Sequence, residues 1–331
     1  MQINHIYLGN YKPGNGIYSV INPLIEQVSE INHKIDLQLS ISLIKGLVNR
    51  KNIYIIHGYY YPKYIILSLL LFITGNKFYI KPHGGFTNNS LKKSSFKKYI
   101  FLLLTKPLII ATSSGILFIN EQEKNNSIKL KKKTFIIKNV IFKINSNNNL
   151  IKKIHVKNKL RFLMINRIDI HHKGLDVFLD FMQIIPKELK DKIEFTIYGS
   201  GDTKDETWFK RKIVKFKNIN YMGLKKIENI DFSNYDYSAL FSRYEGLPTS
   251  LIEGLSKKLP VFISEQCNLS AKNIGYTFDV NDLEDIVSKL ILLNESHNLF
   301  YSSLSENAFL ESQNYLIQHN NIDNLYKTLF N

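Results

Sequence analysis

Short apolar runs alternate with longer amphipathic stretches along most of the chain. The short runs are rich in β-branched and aromatic residues, as strands are, and the longer stretches repeat apolar residues at helical spacing. Strands are predicted at residues 3–9, 52–58, 77–85, 108–114, 160–168, 193–201, 218–223, 237–242 and 259–264. Helices are predicted at residues 17–31, 60–74 and 173–185. Strands that alternate with helices predict an α/β fold with parallel sheets.

The alternation occurs twice, and this doubling predicts two domains. A polar segment without periodicity, residues 144–159, separates the two halves and is interpreted as a linker. We therefore expect a first domain at residues 1–150, a second at 156–305, and a closing helical region at 306–331 that packs back toward the first domain. A chain of 331 residues is long enough for two domains of ordinary size.

Positive charge is concentrated in the first half of the chain. Residues 1–155 hold 22 Lys and Arg against 5 Asp and Glu, whereas residues 156–331 hold 22 against 23. No acidic residue occurs between Asp36 and Glu121. A basic domain indicates an anionic partner, which on this evidence is nucleic acid, an acidic membrane leaflet or a phosphate-bearing substrate.

Several features of the sequence predict a cytoplasmic protein. The first ten residues show no basic flank followed by an apolar core, so no signal peptide is predicted. The longest apolar run, residues 64–74, is shorter than the roughly 20 residues that cross a bilayer, and it is interpreted as a buried helix. The single cysteine, Cys267, excludes an internal disulfide and fits a reducing compartment.

Polar or glycine-bearing loops follow most of the predicted strands. In open α/β sheets, ligands bind at the carboxyl ends of the strands, so these loops are candidates for a binding site. The loop sequences are "PHGG", "NRIDIHHKG", "YGSG", "YMG" and "SRYEGLP".

The last of these loops leads into a predicted helix with two glutamates near its start. Pro248 suits the first position of a helix, where its missing N–H costs nothing, so the following amides are predicted to face an anion. Glu245 precedes the helix and Glu253 lies more than one turn inside it. Carboxylates accept hydrogen bonds from hydroxyl groups, so this pair suits a sugar and a ribose on either side of a phosphate. The alternative is that Glu245 is solvated and that the helix dipole favours Glu253, and the pair taken alone would favour this alternative.

Two cations in another loop favour the ligand interpretation. Arg167 and Lys173 lie between a predicted strand and the next helix, where they would neutralise a diphosphate. Together with the two glutamates, they indicate a nucleotide diphosphate-sugar.

Four segments carry a family resemblance, and they occur in the family's order over about residues 160–285. They read "NRIDIHHKGLDVFLD", "FTIYGSGD", "YMGLKK" and "FSRYEGLPTSLIEGLSKKLPVFIS". The sequence resembles the retaining glycosyltransferases of family four, the group 1 glycosyl transferases, and "YKPGNGIYSVINPL" and "IKPHGGFT" in the first half match more weakly. The resemblance implies the GT-B fold, in which two Rossmann-like domains with parallel sheets face each other across a cleft.

The resemblance also implies roles for individual residues. Arg167 and Lys173 would bind the donor diphosphate. Glu245 would bind the transferred sugar and Glu253 the ribose, while His83 would reach the sugar from the first domain. Catalytic roles are thereby implied for Glu245, His83, Arg167 and Lys173. Further donor contacts are implied for Gly199, Gly201, Met222, Gly223, Leu224, Gly246, Leu247, Pro248 and Thr249, and a loop at the acceptor or donor phosphate for Gly14, Asn15 and Gly16.

The chain departs from the family pattern at several positions. Asn166 stands where a glycine often precedes the arginine, and Lys257 and Lys258 stand near the usual Cys-Gly or Trp-Gly. Leu269 and Ser270 follow "QCN" where Pro-Glu is usual. These differences leave the donor sugar open.

The residues favour a retaining, metal-independent transfer. Inversion needs a protein base, and residues 37–120 contain no carboxylate, so His83 is the main candidate there. In a retaining route the leaving diphosphate takes the acceptor proton itself. The chain has no Asp-x-Asp motif, and His171 and His172 lack partners at metal-ligand spacing, so neither a metal nor another cofactor is expected.

The implied function is sugar transfer in the synthesis of a bacterial surface polysaccharide, such as capsule, O-antigen or exopolysaccharide. The implied partners are a nucleotide-sugar donor and a lipid-linked or oligosaccharide acceptor. Lys92, Lys93, Lys97 and Lys98 lie beside aromatic and leucine residues, which predicts contact with anionic lipid on the cytoplasmic face of the inner membrane.

Three alternatives stay open at this point. A nucleotide-sugar epimerase would need carboxylates in the first domain. A non-catalytic sugar-nucleotide binder is compatible with every motif above. A nucleic-acid-binding protein would explain the basic half but not the two glutamates, and no nucleic-acid motif is evident.

Overall fold

The chain forms two compact units, and each contains one sheet of six parallel strands. The computed structural model describes residues 2–9, 17, 20–22, 25, 32–36, 43, 46–47, 52–88, 91, 95–137, 159–246, 248–267 and 269–315. Within these residues, no helix is both long enough and apolar enough to cross a membrane. The first unit holds the described residues up to 137 and the second unit holds residues 159–315.

The first unit has six strands and three helices whose bounds are described. The strands are β1 Gln2–Ile6, β2 Asn32–Asp36, β3 Ile53–His57, β4 Lys77–Lys81, β5 Gly115–Phe118 and β6 Thr134–Ile136. The helices are α1 Lys63–Ile73, α2 Ser95–Thr112 and α3 Glu121–Asn126. The strand order is β2-β1-β3-β4-β5-β6. β1, β3 and β4 are therefore neighbours, so the residues at their carboxyl ends lie side by side.

The predicted strand at 108–114 is wrong. Residues 108–112 form the end of α2, and strand β5 begins at Gly115, directly after the predicted segment. The β-branched residues of this segment favour a strand, but the helix continues through Pro107 to Thr112. Ile109 is fully buried in the core, and this burial outweighs the low helix propensity of the segment.

The second unit also has six strands, with five helices and three short 3-10 turns. Its strands are β7 Leu160–Ile165, β8 Ile193–Tyr198, β9 Ile219–Tyr221, β10 Tyr237–Leu240, β11 Val261–Ser264 and β12 Gly275–Phe278. Its helices are α4 Leu175–Ile184, α5 Lys187–Lys190, α6 Thr203–Ile213, α7 Thr249–Ser256 and α8 Leu283–Gln313. The 3-10 turns are Ile227–Asn229, Phe232–Asn234 and Glu265–Cys267.

The second sheet buries apolar side chains on both of its faces. In β7, Phe162 lies in the larger apolar cluster and the next residue, Leu163, lies in a separate cluster with Tyr198. Phe162 pairs in register with Phe195, and their rings stack with centroids 4.6 Å apart. This near-continuous apolar run is typical of a parallel strand that is covered on both faces.

The strand order of the second sheet, β12-β11-β10-β7-β8-β9, positions the candidate site. If β7 to β12 are renumbered 1 to 6 and the sheet is read from the β9 edge, the order is 3-2-1-4-5-6. This is the strand order of nucleotide-binding Rossmann folds. The chain leaves β7 toward one side of the sheet and leaves β10 toward the other side. The crevice between the carboxyl ends of β7 and β10 is therefore the expected ligand site.

The long helix α8 closes the second unit. Asp282 caps its start by accepting hydrogen bonds from the amides of Glu284 and Asp285. The helix runs to Gln313, so the predicted boundary between residues 305 and 306 falls inside it. Residues 144–158 of the predicted linker 144–159 and residues 316–331 lie outside the described residues, and the packing of the tail on the first domain stays a prediction.

Candidate functional site

Two loops at the crevice of the second sheet bring the predicted site residues together. Residues 166–174 follow β7 and residues 241–248 follow β10. Gly199 and Gly201, in the loop after β8, press against the first of these loops. A Cβ atom on Gly199 would lie 1.8 Å from the carbonyl oxygen of Asn166, so a side chain there would displace the loop. Both glycines were predicted to border the base, and the geometry gives them this structural role as well.

Lys173 and Glu245 form an ion pair in the crevice. The Lys173 Nζ donates a hydrogen bond to Oε1 of Glu245, and the hydroxyl of Ser242 donates a second one at 2.7 Å. The side chains of Lys173 and Glu245 are only 13% and 10% exposed. Burial raises the pKa of the Glu245 carboxyl, but Lys173, His172 and Ser242 together lower it below its ordinary value. Glu245 is therefore a charged hydrogen-bond acceptor at neutral pH.

His172 supports this pair from the side. Its Nε2 lies 3.8 Å from Oε1 of Glu245 and donates to the carbonyl oxygen of Tyr244 at 2.8 Å. The His172 and Tyr244 rings stack with centroids 4.1 Å apart. Burial lowers the pKa of His172 to about 4, so the ring is neutral at pH 7. It holds the loop in place rather than adding a charge.

Arg167 lies at the surface of the site. One guanidinium nitrogen donates to Oδ2 of Asp169 at 2.7 Å, and the arginine side chain is 53% exposed. The other oxygen of Asp169 accepts from the His172 amide at 2.8 Å, which fixes the carboxylate. Arginine has five N–H donors, so most of the guanidinium donors of Arg167 are available to bind an anion.

An ion pair outside the crevice locks the two loops together. Arg243 donates to both carboxylate oxygens of Asp176, at 2.7 and 2.9 Å, and also to the carbonyl oxygen of His171. A bidentate pair of this kind fixes orientation as well as distance. It connects the loop after β10 with the first turn of α4.

The start of α7 differs by one residue from the prediction. Pro248 is the residue before the helix rather than its first residue, and the helix begins at Thr249. The amide of Leu251 donates to the carbonyl oxygen of Pro248 at 3.1 Å, so it does not face a ligand as predicted. The amides of Thr249 and Ser250 have no hydrogen-bond partner among the described residues. They remain the candidates for anion contact, while Leu247 lies outside the described residues.

Glu253 has a different environment from Glu245. It is partly buried on α7, and its carboxyl group makes no hydrogen bond within the described part of the chain. Burial, with a smaller effect of Glu228, raises the pKa of Glu253 to about 8. A desolvated carboxyl group without a partner is an unsatisfied acceptor that a ligand hydroxyl would satisfy.

The remaining donor residues lie on exposed loops. Met222 and Leu224 are 57% and 54% exposed, which is unusual for apolar side chains. Gly223, between them, has a φ of 69° and accepts a hydrogen bond from the Gly199 amide. This contact connects the loop after β9 with the loop after β8. Gly246 lies beside Glu245 and is partly buried.

The other predicted residues belong to the first unit. His83 follows β4 and has a φ of 50°, which is rare for a residue with a side chain. Gly14, Asn15 and Gly16 lie outside the described residues. In the described part of the chain, no group of three His, Cys, Asp or Glu could hold a metal ion, and metal independence stays a prediction.

Sequence reasoning missed the residues that support the site. Ser242, Asp169 and His172 contact predicted residues, and their positions beside the motif residues were the available signal. The Lys173–Glu245 contact joins residues 72 positions apart, so no local pattern revealed it.

Comparison with known proteins finds a family match for part of the second unit. Residues 159–296 match the family described as "Glycosyl transferases group 1". A relative from Campylobacter jejuni, a GalNAc-alpha-(1->4)-GalNAc-alpha-(1->3)-diNAcBac-PP-undecaprenol alpha-1,4-N-acetyl-D-galactosaminyltransferase, is 29% identical over 165 residues. This match covers 47% of the present chain and 44% of the relative, so the chain spans less than half the length of the curated relative that it matches.

Solved structures share the fold over most of the chain or nearly all of it. Anabaena HepE, solved in complex with UDP and glucose, aligns with a TM-score of 0.73 at 12% identity and covers 99% of both chains. The pneumococcal O-GlcNAc transferase GtfA, solved with UDP and GlcNAc, aligns with a TM-score of 0.65 at 14% identity. That alignment covers 87% of the present chain and 58% of GtfA.

Proposed function

Because the chain has the α/β GT-B fold and its residues 159–296 match the family of group 1 glycosyl transferases, we propose that it transfers a sugar from a nucleotide diphosphate-sugar to a saccharide acceptor. The observation that carries this proposal is the charged cluster at the crevice of the second sheet. There Lys173 and Glu245 are paired, Arg167 lies nearby on the same loop as Lys173, and two unpaired amides begin α7.

The cluster has the groups that a retaining transfer needs. When the bond between sugar and diphosphate breaks, negative charge develops on the diphosphate, and Arg167, Lys173 and the α7 amides would stabilise it. The leaving diphosphate takes the proton of the acceptor hydroxyl, so the reaction needs no protein base. Glu245 accepts hydrogen bonds from the sugar hydroxyls, and its ion pair with Lys173 holds both groups in place before the donor binds.

Glu253 completes the donor site in this proposal. Its carboxyl group is desolvated and has no hydrogen-bond partner in the described residues, so two ribose hydroxyls would satisfy it. The exposed loop of Met222, Gly223 and Leu224 would cover the base. The identity of the base is left to experiment, although the HepE and GtfA structures contain UDP.

We further propose a lipid-linked acceptor, in the synthesis of a bacterial surface polysaccharide. The name of the Campylobacter relative gives an undecaprenyl diphosphate-linked saccharide as its substrate. The basic first half of the present chain would attract such an anionic, membrane-bound acceptor.

Exposed apolar side chains on the first unit support a membrane-facing role. The side chains of the basic cluster at residues 92–98 are not among those that the structure describes. However, two neighbouring helices, α1 and α2, expose large apolar residues: Ile66, Leu69, Phe72, Ile73, Ile100, Leu103 and Leu104. Such a patch on a basic unit suits the interface of an anionic membrane, and we propose that this is the cytoplasmic face of the inner membrane.

The roles of the two glutamates can be separated by experiment. We expect Glu245→Ala to leave nucleoside diphosphate affinity nearly intact and to lower transfer by about a hundredfold or more, since its contacts act in the transition state. Glu253→Ala should instead weaken nucleoside diphosphate binding. If Glu245→Ala loses affinity as severely as Glu253→Ala, the proposed roles are wrong.

A further inference from the structure

Three histidines of the first unit form a continuous hydrogen-bonded chain. His5 in β1, His57 in β3 and His83 after β4 come from three neighbouring strands. The Nδ1 of His5 lies 2.9 Å from Nε2 of His57, and Nδ1 of His57 lies 2.7 Å from Nε2 of His83. His5 and His57 are buried, with 0% and 1% exposure. We call these three residues the histidine chain.

At its His83 end, the histidine chain presents a ring nitrogen without a hydrogen-bond partner in the described part of the first unit. His83 uses Nε2 to contact His57, and its Nδ1 makes no hydrogen bond within the described residues. The Nδ1 of His83 is therefore the nitrogen that remains for a ligand.

The number of protons in the histidine chain links the protonation of the His83 Nδ1 to the tautomers of His57 and His5. Each N···N hydrogen bond holds one proton, and a neutral imidazole carries one proton on one of its two nitrogens. If His83 donates from Nε2, then His57 donates to His5, and Nδ1 of His83 is an acceptor. If His5 donates to His57, then His57 donates to His83, and Nδ1 of His83 carries the proton and is a donor. The tautomer of His83 is thus tied to the two rings behind it.

The surroundings keep His57 and His83 neutral. Burial lowers the pKa of His57 and of His83, and the nearby Lys81 cation lowers both further. Burial lowers the pKa of Lys81 itself to about 8, and the Glu123 carboxylate opposes this. The hydroxyl of Tyr64, the other titratable group in contact, donates to the carbonyl oxygen of His57 at 2.9 Å.

The turn that carries His83 is fixed by a buried carboxylate. Glu123 is fully buried and accepts hydrogen bonds from the amide of Gly84 and, at 2.6 Å, from the amide of Ile119. This contact holds the turn in a conformation that gives His83 its positive φ. The ring of His83 is therefore positioned by its own turn on one side and by His57 on the other.

We propose that His5 and His57 are positioning residues, which fix the orientation and the tautomer of His83 so that its Nδ1 makes one defined hydrogen bond to the transferred sugar or the acceptor. This inference rests on the proposed function and on the contact with the donor sugar that the family resemblance implies for His83. Mutating a side chain that orients a functional group typically lowers activity about 10- to 100-fold.

The histidine chain itself can be tested without any activity. In the full chain labelled with ¹⁵N at its nine histidines, we expect scalar couplings across both N–H···N bonds, His5 to His57 and His57 to His83, at pH 7. We also expect one neutral tautomer for His83. Missing couplings, a charged ring or an averaged tautomer for His83 would overturn the inference. Because this measurement uses the unaltered protein, it does not depend on any variant folding.

Variants of His57 then test the consequence for transfer. Asparagine places its amide near the position of the imidazole Nδ1, so His57→Asn should keep the contact with His83, whereas His57→Leu removes it. We expect His57→Leu to lower turnover about 10- to 100-fold and to give His83 averaged tautomers, with nucleoside diphosphate affinity unchanged. His57→Asn should restore a single tautomer and most of the turnover. His297→Gln, which changes a hydrogen-bonded histidine of the second unit, serves as the matched control.

The outcomes separate this inference from the proposed function. Equal turnover in wild type and His57→Leu, or equal losses in His57→Leu and His57→Asn, would overturn the positioning role. If the wild type turns over no nucleotide-sugar but both couplings are present, the proposed function fails while the histidine chain stands.

Discussion

Glu253 links the stability of the second unit to nucleotide binding, and Glu253→Gln is the substitution that exposes the link. Glutamine keeps the shape of the side chain and removes the charge. The carboxyl of Glu253 has a pKa of about 8, against an ordinary value of 4.5, because burial disfavours its charged form. Its protonated form is thus favoured in the folded protein. The stability that this proton contributes is complete below pH 4.5 and is lost as the pH rises through 8.

The size of both effects follows from that pKa. At pH 7 the carboxyl group is ionised in the unfolded chain but mostly protonated in the folded one. Relative to low pH, where both states are protonated, this difference lowers the free energy of unfolding by as much as about 3 kcal/mol, and the loss grows up to pH 9. The ribose hydroxyls need the carboxylate as acceptor. About one molecule in eleven has it at pH 7 and about ten in eleven at pH 9, so nucleoside diphosphate affinity should rise about tenfold over this range.

The assay is a pair of titrations on wild type and Glu253→Gln. Calorimetric binding of a nucleoside diphosphate at pH 7, 8 and 9 should show the tenfold rise only in the wild type. Thermal unfolding of the second unit should show a gain in stability for Glu253→Gln that increases from pH 5 to pH 9. Glu228→Gln is the control, because removing its charge should lower the pKa of Glu253 and move the binding midpoint to lower pH. Binding that is independent of pH in the wild type, or a glutamine variant that is less stable at pH 9, would refute the reasoning.

Three further predictions concern the cations, the metal and the membrane. Arg167→Ala and Lys173→Ala should each weaken diphosphate binding more than monophosphate binding, and equal losses in calorimetry would refute the diphosphate role. Lys173→Ala should also lower turnover by about a hundredfold, because it removes the cation that would stabilise the leaving diphosphate and that holds the Glu245 carboxylate. A chelator should leave turnover unchanged, and a strict requirement for a divalent ion would contradict the proposed chemistry. Replacing Ile73 and Leu104 by serine should reduce sedimentation with acidic vesicles, and a double variant that binds as well as the wild type would exclude the α1–α2 patch.

The strand and helix pattern of the second unit could be predicted from the sequence, because its strands are apolar runs that end in polar loops. The predicted strand at 160–168 contains β7, and the predicted strand at 193–201 contains β8. In the first unit the same reasoning failed at 108–114, where β-branched residues belong to a helix. Local propensity favoured a strand there, but the burial of Ile109 in the core decides the conformation.

The site was predicted as a set of residues but not as a network of contacts. The strand order explains why Lys173 and Glu245 meet, since β7 and β10 are neighbours only after the sheet has formed. The histidine chain was hidden for the same reason. His5 and His57 are 52 positions apart, and His57 by itself has the pattern of a structural residue. Contacts between distant segments depend on the order of the strands in the sheet. A single sequence predicts the fold class, here parallel α/β, but not that order.

The most direct test of the account is a donor screen that measures nucleoside diphosphate release from UDP-, GDP- and ADP-sugars, with and without a lipid diphosphate-linked saccharide. We predict that one donor is turned over, that the acceptor accelerates its turnover, and that Glu245→Ala loses this activity while it still binds the nucleoside diphosphate. Binding of no nucleotide-sugar, together with salt-dependent binding of oligonucleotides, would contradict the account.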